Sequence, residues 1–246
     1  MKKKTITQYR DAVNRPKEIY EILHEQLYTA RKEHERPSLE LFLSAFTAGL
    51  EIGFSVFFMG IIFTLFAGQV TPANLHVMVS VCYPLGFIFV IIGKSQLFTE
   101  HTTLAVMPVL NRDASVKSLL RLWAIIYSGN ILGGILFAIL LAVVPSEMGL
   151  ISDTSLVTLA SSLTEHSGYV IFGSGIIAGL LMGLLSWLVT SSQETISRIF
   201  MIFLVTTVIG IGSLHHSIVG SIEVFAGMLV DRSSITLTDY GFTQLW

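Results

Sequence analysis

The sequence predicts an all-α polytopic membrane protein, a helical bundle whose second and fifth spans are broken. Three observations carry this prediction. Only 13% of the 246 residues are charged and 52% are hydrophobic, whereas an ordinary soluble domain carries about 25% charged residues. Beyond residue 38 the chain contains apolar runs of the length that a membrane helix needs, roughly 20 residues each. Two of those runs are cut by polar residues in mid-stretch.

The first span is expected at residues 39–68, with Glu51 as its only charge after Glu40. The second runs over 76–93, stops at Lys94-Ser95-Gln96 and is followed by a shorter apolar stretch at 102–110. The third covers 119–144 and the fourth 168–190. The fifth covers 199–212, is interrupted at Ser213-Leu214-His215-His216, and resumes over 217–230.

Basic residues orient the chain, because Lys and Arg concentrate in cytoplasmic loops. Nine of the fifteen Lys and Arg precede the first span. Arg112, Lys117 and Arg121 follow the second span, and Arg198 lies between the fourth and fifth. The segments after spans one and three carry none, and Arg232 alone follows span five. A cytoplasmic N-terminus is expected. Met1-Lys2-Lys3-Lys4 is basic, but no apolar stretch follows before residue 39, so no cleaved signal is expected.

Residues 1–37 are expected to form a cytoplasmic N-terminal segment, and 38–246 the membrane domain. Asn14 or Arg15 precedes Pro16, a residue suited to a first helical turn. Ile19, Ile22, Leu23, Leu27 and Ala30 then recur at helical spacing until Pro37. This amphipathic helix could lie on lipid, dock on a neighbouring subunit, or pack under its own bundle.

Transporters often consist of two inverted repeats with matching broken helices. Spans one to three would be one repeat. Spans four and five lack the third helix of theirs, although residues 236–246 turn apolar again, so a sixth span is expected beyond this sequence.

Irregular backbone at membrane depth is tolerated only when buried in protein or lining a wet cavity. Two such breaks meeting at mid-depth make a small polar site in an apolar tube, which is the physical reason to expect permeation. The first break carries Leu97, Phe98, Thr99, Glu100 and His101; the second carries His215 and His216. Ionisable residues inside a membrane are costly and mark functional sites by default. A histidine here can donate a hydrogen bond or a proton to an arriving weak-acid anion, and an adjacent pair favours at least one facing the pore. Glu223, seven residues after His216, shares its helical face and either pairs with a histidine or a backbone donor or stays protonated. Glu51 reads as a structural carboxyl in a helix contact. Gly129, Gly133 and Gly134 in span three, and Gly175, Gly179 and Gly183 in span four, have the spacing that lets helices approach closely.

At the breaks, Gln96-Leu97-Phe98-Thr99, Tyr127-Ser128-Gly129-Asn130 and His215-His216-Ser217-Ile218 resemble the formate/nitrite transporter family, and in particular a divergent branch of it. The resemblance covers roughly residues 39–230. It implies an aquaporin-like fold, a homopentamer with one pore per six-span subunit, and the inner (plasma) membrane of a bacterium. It makes His216 the central pore histidine and Thr99 the threonine that hydrogen-bonds it. Leu97, Phe98 and Phe87 match a cytoplasmic constriction, Tyr83 and Ile209 an outer one, and Asn130 a brace for broken backbone. The family's lysine before span four is replaced by Leu163, Thr164, Glu165 and His166, and two of its asparagines by Gly179 and Gly220. Glu223 belongs to this branch.

The expected function is passage of a small weak-acid anion resembling formate or nitrite, coupled to a proton. A neutral small-solute channel and a non-conducting membrane assembly protein are the alternatives. An enzyme is not expected. Cys82 is the only cysteine, adjacent histidines point to different helix faces, and no H-E-x-x-H spacing occurs, so neither metal nor cofactor is implied. The partners expected are the solute, the bilayer and further copies of the chain, not nucleic acid.

Overall fold

A computed structural model describes residues 15–244; the basic run Met1–Lys4, Asn14 and Trp246 lie outside the described residues. The described chain forms eleven α-helices: α1 (Ile19–Glu35), α2 (Ser38–Phe66), α3 (Pro72–Cys82), α4 (Pro84–Gly93), α5 (Phe98–Leu110), α6 (Val116–Glu147), α7 (Asp153–Thr164), α8 (Gly168–Ser191), α9 (Thr195–Ile211), α10 (Ser217–Val230) and α11 (Leu237–Gln244). Helix α2, the α3–α4 pair, α6 and α8 are each long and apolar enough to cross a membrane, while α9 and α10 are shorter apolar helices.

Helices α2 and α6 pack along most of their length. A Cβ on Gly133 would run into the Phe46 carbonyl oxygen and come within 3.1 Å of Gly49 Cα. One on Gly49 would run into the Asn130 carbonyl oxygen. Backbone therefore meets backbone here, the arrangement that small residues permit between membrane helices. The glycines of α8 do something else. A Cβ on Gly175 or Gly179 would have nothing within 4 Å, and one on Gly183 would meet only Thr103, at 3.5 Å. Their four-residue spacing makes no close helix contact within the described chain.

Helix α1 packs beneath its own bundle. Its buried residues are Ile22, Gln26, Ala30 and His34, spaced by four, while Ile19 is 75% exposed and Leu23 41%. The inward face thus includes two polar residues that hydropathy cannot flag. His34 Nε2 donates to the Ala105 carbonyl at 2.9 Å and its Nδ1 accepts from Ser118 Oγ at 2.8 Å. Arg121 holds the following turn through the Arg36 carbonyl and Ser38 Oγ, both at 2.8 Å.

Three departures from the sequence expectation have local causes. The second span bends at Pro84, which has no N–H to continue the helix. Ser55 repairs the bend, donating to the Tyr83 carbonyl at 2.6 Å and accepting from Gly86 N at 2.9 Å. After the break the chain is helical again from Phe98 rather than 102, because the Leu97 carbonyl already accepts from the His101 amide at 3.0 Å. Within 145–167, expected as a connecting segment, α7 forms behind a Ser152 cap on the Ser155 amide at 3.2 Å. It packs on α10, where a Cβ on Gly227 would touch Ala160.

Candidate functional site

The two breaks face each other, and each is held by side chains from neighbouring helices. In the first, Lys94 adopts a left-handed conformation (φ 60°) that ends α4. Ser95 N closes onto the Val90 carbonyl at 3.0 Å, and Gln96 N donates to Ser44 Oγ at 3.2 Å. Asn130, fully buried on α6, spans the rest. Its Oδ1 accepts from Phe98 N at 2.7 Å, and its Nδ2 donates to the Gln96 carbonyl at 2.8 Å and the Ala45 carbonyl at 2.7 Å. One amide thereby satisfies backbone on both sides of the interruption, as buried polar groups require.

In the second break Ser213 is left-handed (φ 46°) and His215 N donates to Ser174 Oγ at 2.8 Å. The two histidines then diverge. His215, 7% exposed, turns toward α7, its Nε2 donating to the Leu163 carbonyl at 3.0 Å. His216 turns inward, 4% exposed, and caps α10: its Nδ1 accepts from Val219 N at 3.4 Å. A neutral imidazole that accepts at Nδ1 carries its proton on Nε2. Nε2 lies 2.6 Å from Thr99 Oγ1 and donates to it. The Thr99 hydroxyl hydrogen is left free for a third partner.

This contact joins the N-termini of α5 and α10, so two helix dipoles present their positive ends to one gap. Apolar side chains frame it. Phe87, fully buried, sets its ring edge-on to His216 at 5.1 Å and lies 5.3 Å from the Tyr83 ring. Leu97 is fully buried at the start of α5. Phe98 instead packs against Tyr127 and Trp123 of α6, at 5.2 and 6.3 Å.

One cavity, of about 90 Å³, is lined by Tyr83, Ile209, His216, Gly220 and Glu223 among others. A second, of about 240 Å³, is lined by Thr99, Gly175, Gly179, His215, His216 and Gln244 among others. Among the described residues His216 alone lines both. Glu223 has no hydrogen-bond partner among the described residues, so neither partner anticipated for it is present. Glu51 lies near the first break, its Oε2 buried without a partner; a Cβ on Gly93 would sit 3.6 Å from its other oxygen.

Sequence reasoning missed several residues that position the site. Ser44, Ser55 and Ser174 hold broken backbone, and His76 Nε2 ties α3 to the Ile211 carbonyl at 2.8 Å. Hydroxyls are common on apolar helices, so nothing in the sequence singles these out. The Tyr83-Pro84 step is the one visible signal, for Ser55. A Cβ on Gly220 would run into Gln244, which thus sets a side-chain amide beside a position where the resemblance leads one to expect asparagine and a glycine stands.

An apolar bundle with two interrupted helices meeting at a buried His–Thr pair defines a membrane transport protein. Residues 20–246 match the family model described as formate/nitrite transporter, and the chain belongs to that family, one of transport proteins rather than enzymes. It is 32% identical over 221 residues to the inner membrane protein YfdC of Escherichia coli (strain K12), covering 89% of this chain and 69% of that one. Two solved structures share the fold. An FNT family ion channel superposes with a TM-score of 0.78 at 21% identity, covering 93% of this chain and 91% of that one. A pentameric formate channel with formate bound gives 0.74 at 20% identity, covering 85% and 88%.

Proposed function

We propose that the chain forms a pore passing a small monovalent weak-acid anion, of the formate or nitrite kind, together with a proton. The observation that carries this reading is the His216–Thr99 contact at 2.6 Å. It sets the Thr99 hydroxyl, backed by a neutral His216, at the positive ends of two helices, between apolar side chains that would strip water from a hydrated ion. Such helix termini favour anions, and the free Thr99 hydroxyl hydrogen is placed to meet one. Tyr83 and Ile209 form the outer constriction of this pore, and Phe87 and Leu97 the inner one. Phe98 contributes by holding the first break against α6. Residues 1–37 lie in the cytoplasm and 38–246 form the channel domain, in the inner membrane of a bacterium. The pentameric formate channel that shares the fold supports a homopentamer, in which each subunit would hold its own pore.

The test is uptake of radiolabelled formate and nitrite into liposomes holding the purified protein. His216→Ala is expected to lower uptake at least tenfold while the protein still assembles. Uptake equal to that of the unaltered protein would remove the histidine from the mechanism. A second reading, passage of a neutral solute, is favoured by one observation: no Lys or Arg lines either cavity among the described residues. Osmotic swelling of the same liposomes without acid uptake would establish it instead.

A further inference from the structure

The cavity of about 90 Å³ holds a carboxyl group that the pore described so far does not use. Glu223 follows His216 and Gly220 along one face of α10, two turns into the helix. It is 6% exposed, lines the cavity, and receives no hydrogen bond from any described residue.

The surrounding groups offer it no countercharge. The other titratable residues on the cavity wall are His76, Tyr83 and His216. His76 Nε2 is engaged by the Ile211 carbonyl, and both His216 nitrogens are engaged by Thr99 and Val219. Of the helices packed against α10, α2 brings Met59 to the wall and α7 brings Leu159, Ser162 and Leu163; neither brings a charge. No residue of α5, α6 or α11 lines the cavity; Tyr240 of α11 contacts Ser221 and Phe225 of α10 instead.

An ionised carboxylate and an anion cannot share so small a cavity cheaply. At about 4 Å, in surroundings of intermediate polarity, their repulsion disfavours double occupancy roughly a thousandfold. A protonated carboxyl reverses this, since it carries no charge and donates a hydrogen bond to the anion.

We propose that Glu223 loads the proton that accompanies each anion through the pore, an inference that rests on the weak-acid reading above. The outer cavity admits formate when Glu223 is protonated. The Glu223 O–H bond breaks and an O–H bond forms on a formate oxygen, leaving Glu223 as carboxylate and the cargo as neutral formic acid. The acid passes His216 and Thr99, and a proton from the outer water restores Glu223. One proton and one formate enter per cycle, and no net charge crosses.

The experiment measures labelled formate uptake and lumen acidification together in proteoliposomes, above the protein-free background. The unaltered protein is expected to take up one proton per formate, with uptake indifferent to an imposed membrane potential. Glu223→Gln, which keeps the shape but cannot ionise, is expected to lose that ratio: formate still enters, the potential now drives it, and raising the outside pH no longer suppresses it. Glu223→Asp keeps a carboxyl and should keep the ratio. A Glu223→Gln protein with the unaltered ratio and pH profile would overturn the proposal and leave the weak-acid reading standing. Formate current without acidification in the unaltered protein would overturn it with no variant needed. Absence of monocarboxylate uptake in the unaltered protein would sink the weak-acid reading itself, and this inference with it. Glu223-dependent uptake of methylammonium in place of formate would make the cavity a cation site and also overturn the proposal.

Discussion

Asn130→Leu is expected to leave little folded protein. Leucine fills a similar volume but neither donates nor accepts. The Gln96 and Ala45 carbonyls and the Phe98 amide would each lose the partner that Asn130 provides. A buried backbone group left without a partner costs about 1–3 kcal/mol, so three together remove a large part of an ordinary folding free energy of about 5–15 kcal/mol. As the neutral acid, Asn130→Asp keeps the acceptor for Phe98 and one of the two donations, so it should fall between Asn130→Leu and the unaltered protein. Melting of the detergent-purified variants, with size-exclusion profiles, checks the order. A Leu variant that melts with the unaltered protein would show that the first break does not need this brace.

The second large effect is expected at the α2–α6 seam. The Cβ of Gly133→Ala meets the Phe46 carbonyl and Gly49 Cα, both of them backbone. No rotamer change can make room, so the helices must separate. Overpacking a tight interior costs about 1–3 kcal/mol where side chains can yield, and the cost here should lie at or above the upper end. Gly175→Ala and Gly179→Ala on α8 enter open space and should be near neutral in the same melting assay. If an α8 variant proved the more destabilising, the assignment of the seam would be wrong.

The contrast between those two glycine sets shows what a sequence can convey. Four-residue spacing looks the same in α6 and α8, yet only the first meets another backbone. The spans themselves were legible because sustained apolar runs leave few alternatives. Both breaks were legible because Lys94-Ser95-Gln96 and His215-His216 are costly inside an apolar helix. The bend at Pro84 and the helix α7 were not anticipated. A proline in mid-span can be absorbed or can break the helix, and twelve residues rich in Ser and Thr carry too weak a signal to separate helix from loop. His216 and Thr99 were singled out at the breaks and matched by resemblance. That His216 reaches Thr99 while its neighbour reaches the Leu163 carbonyl, its amide held by Ser174 about forty residues away, is set by packing remote in sequence. Glu223 was visible as an isolated acid, but its lack of a partner is a property of the packed helices around it.

That His216 is the one described wall common to both cavities has a kinetic consequence for the proposed pore. Solutes must queue at a single imidazole, so an occupant from one side blocks an arrival from the other. Transfer would then saturate at high solute concentration, and two acids supplied together would compete for one turnstile instead of adding their fluxes.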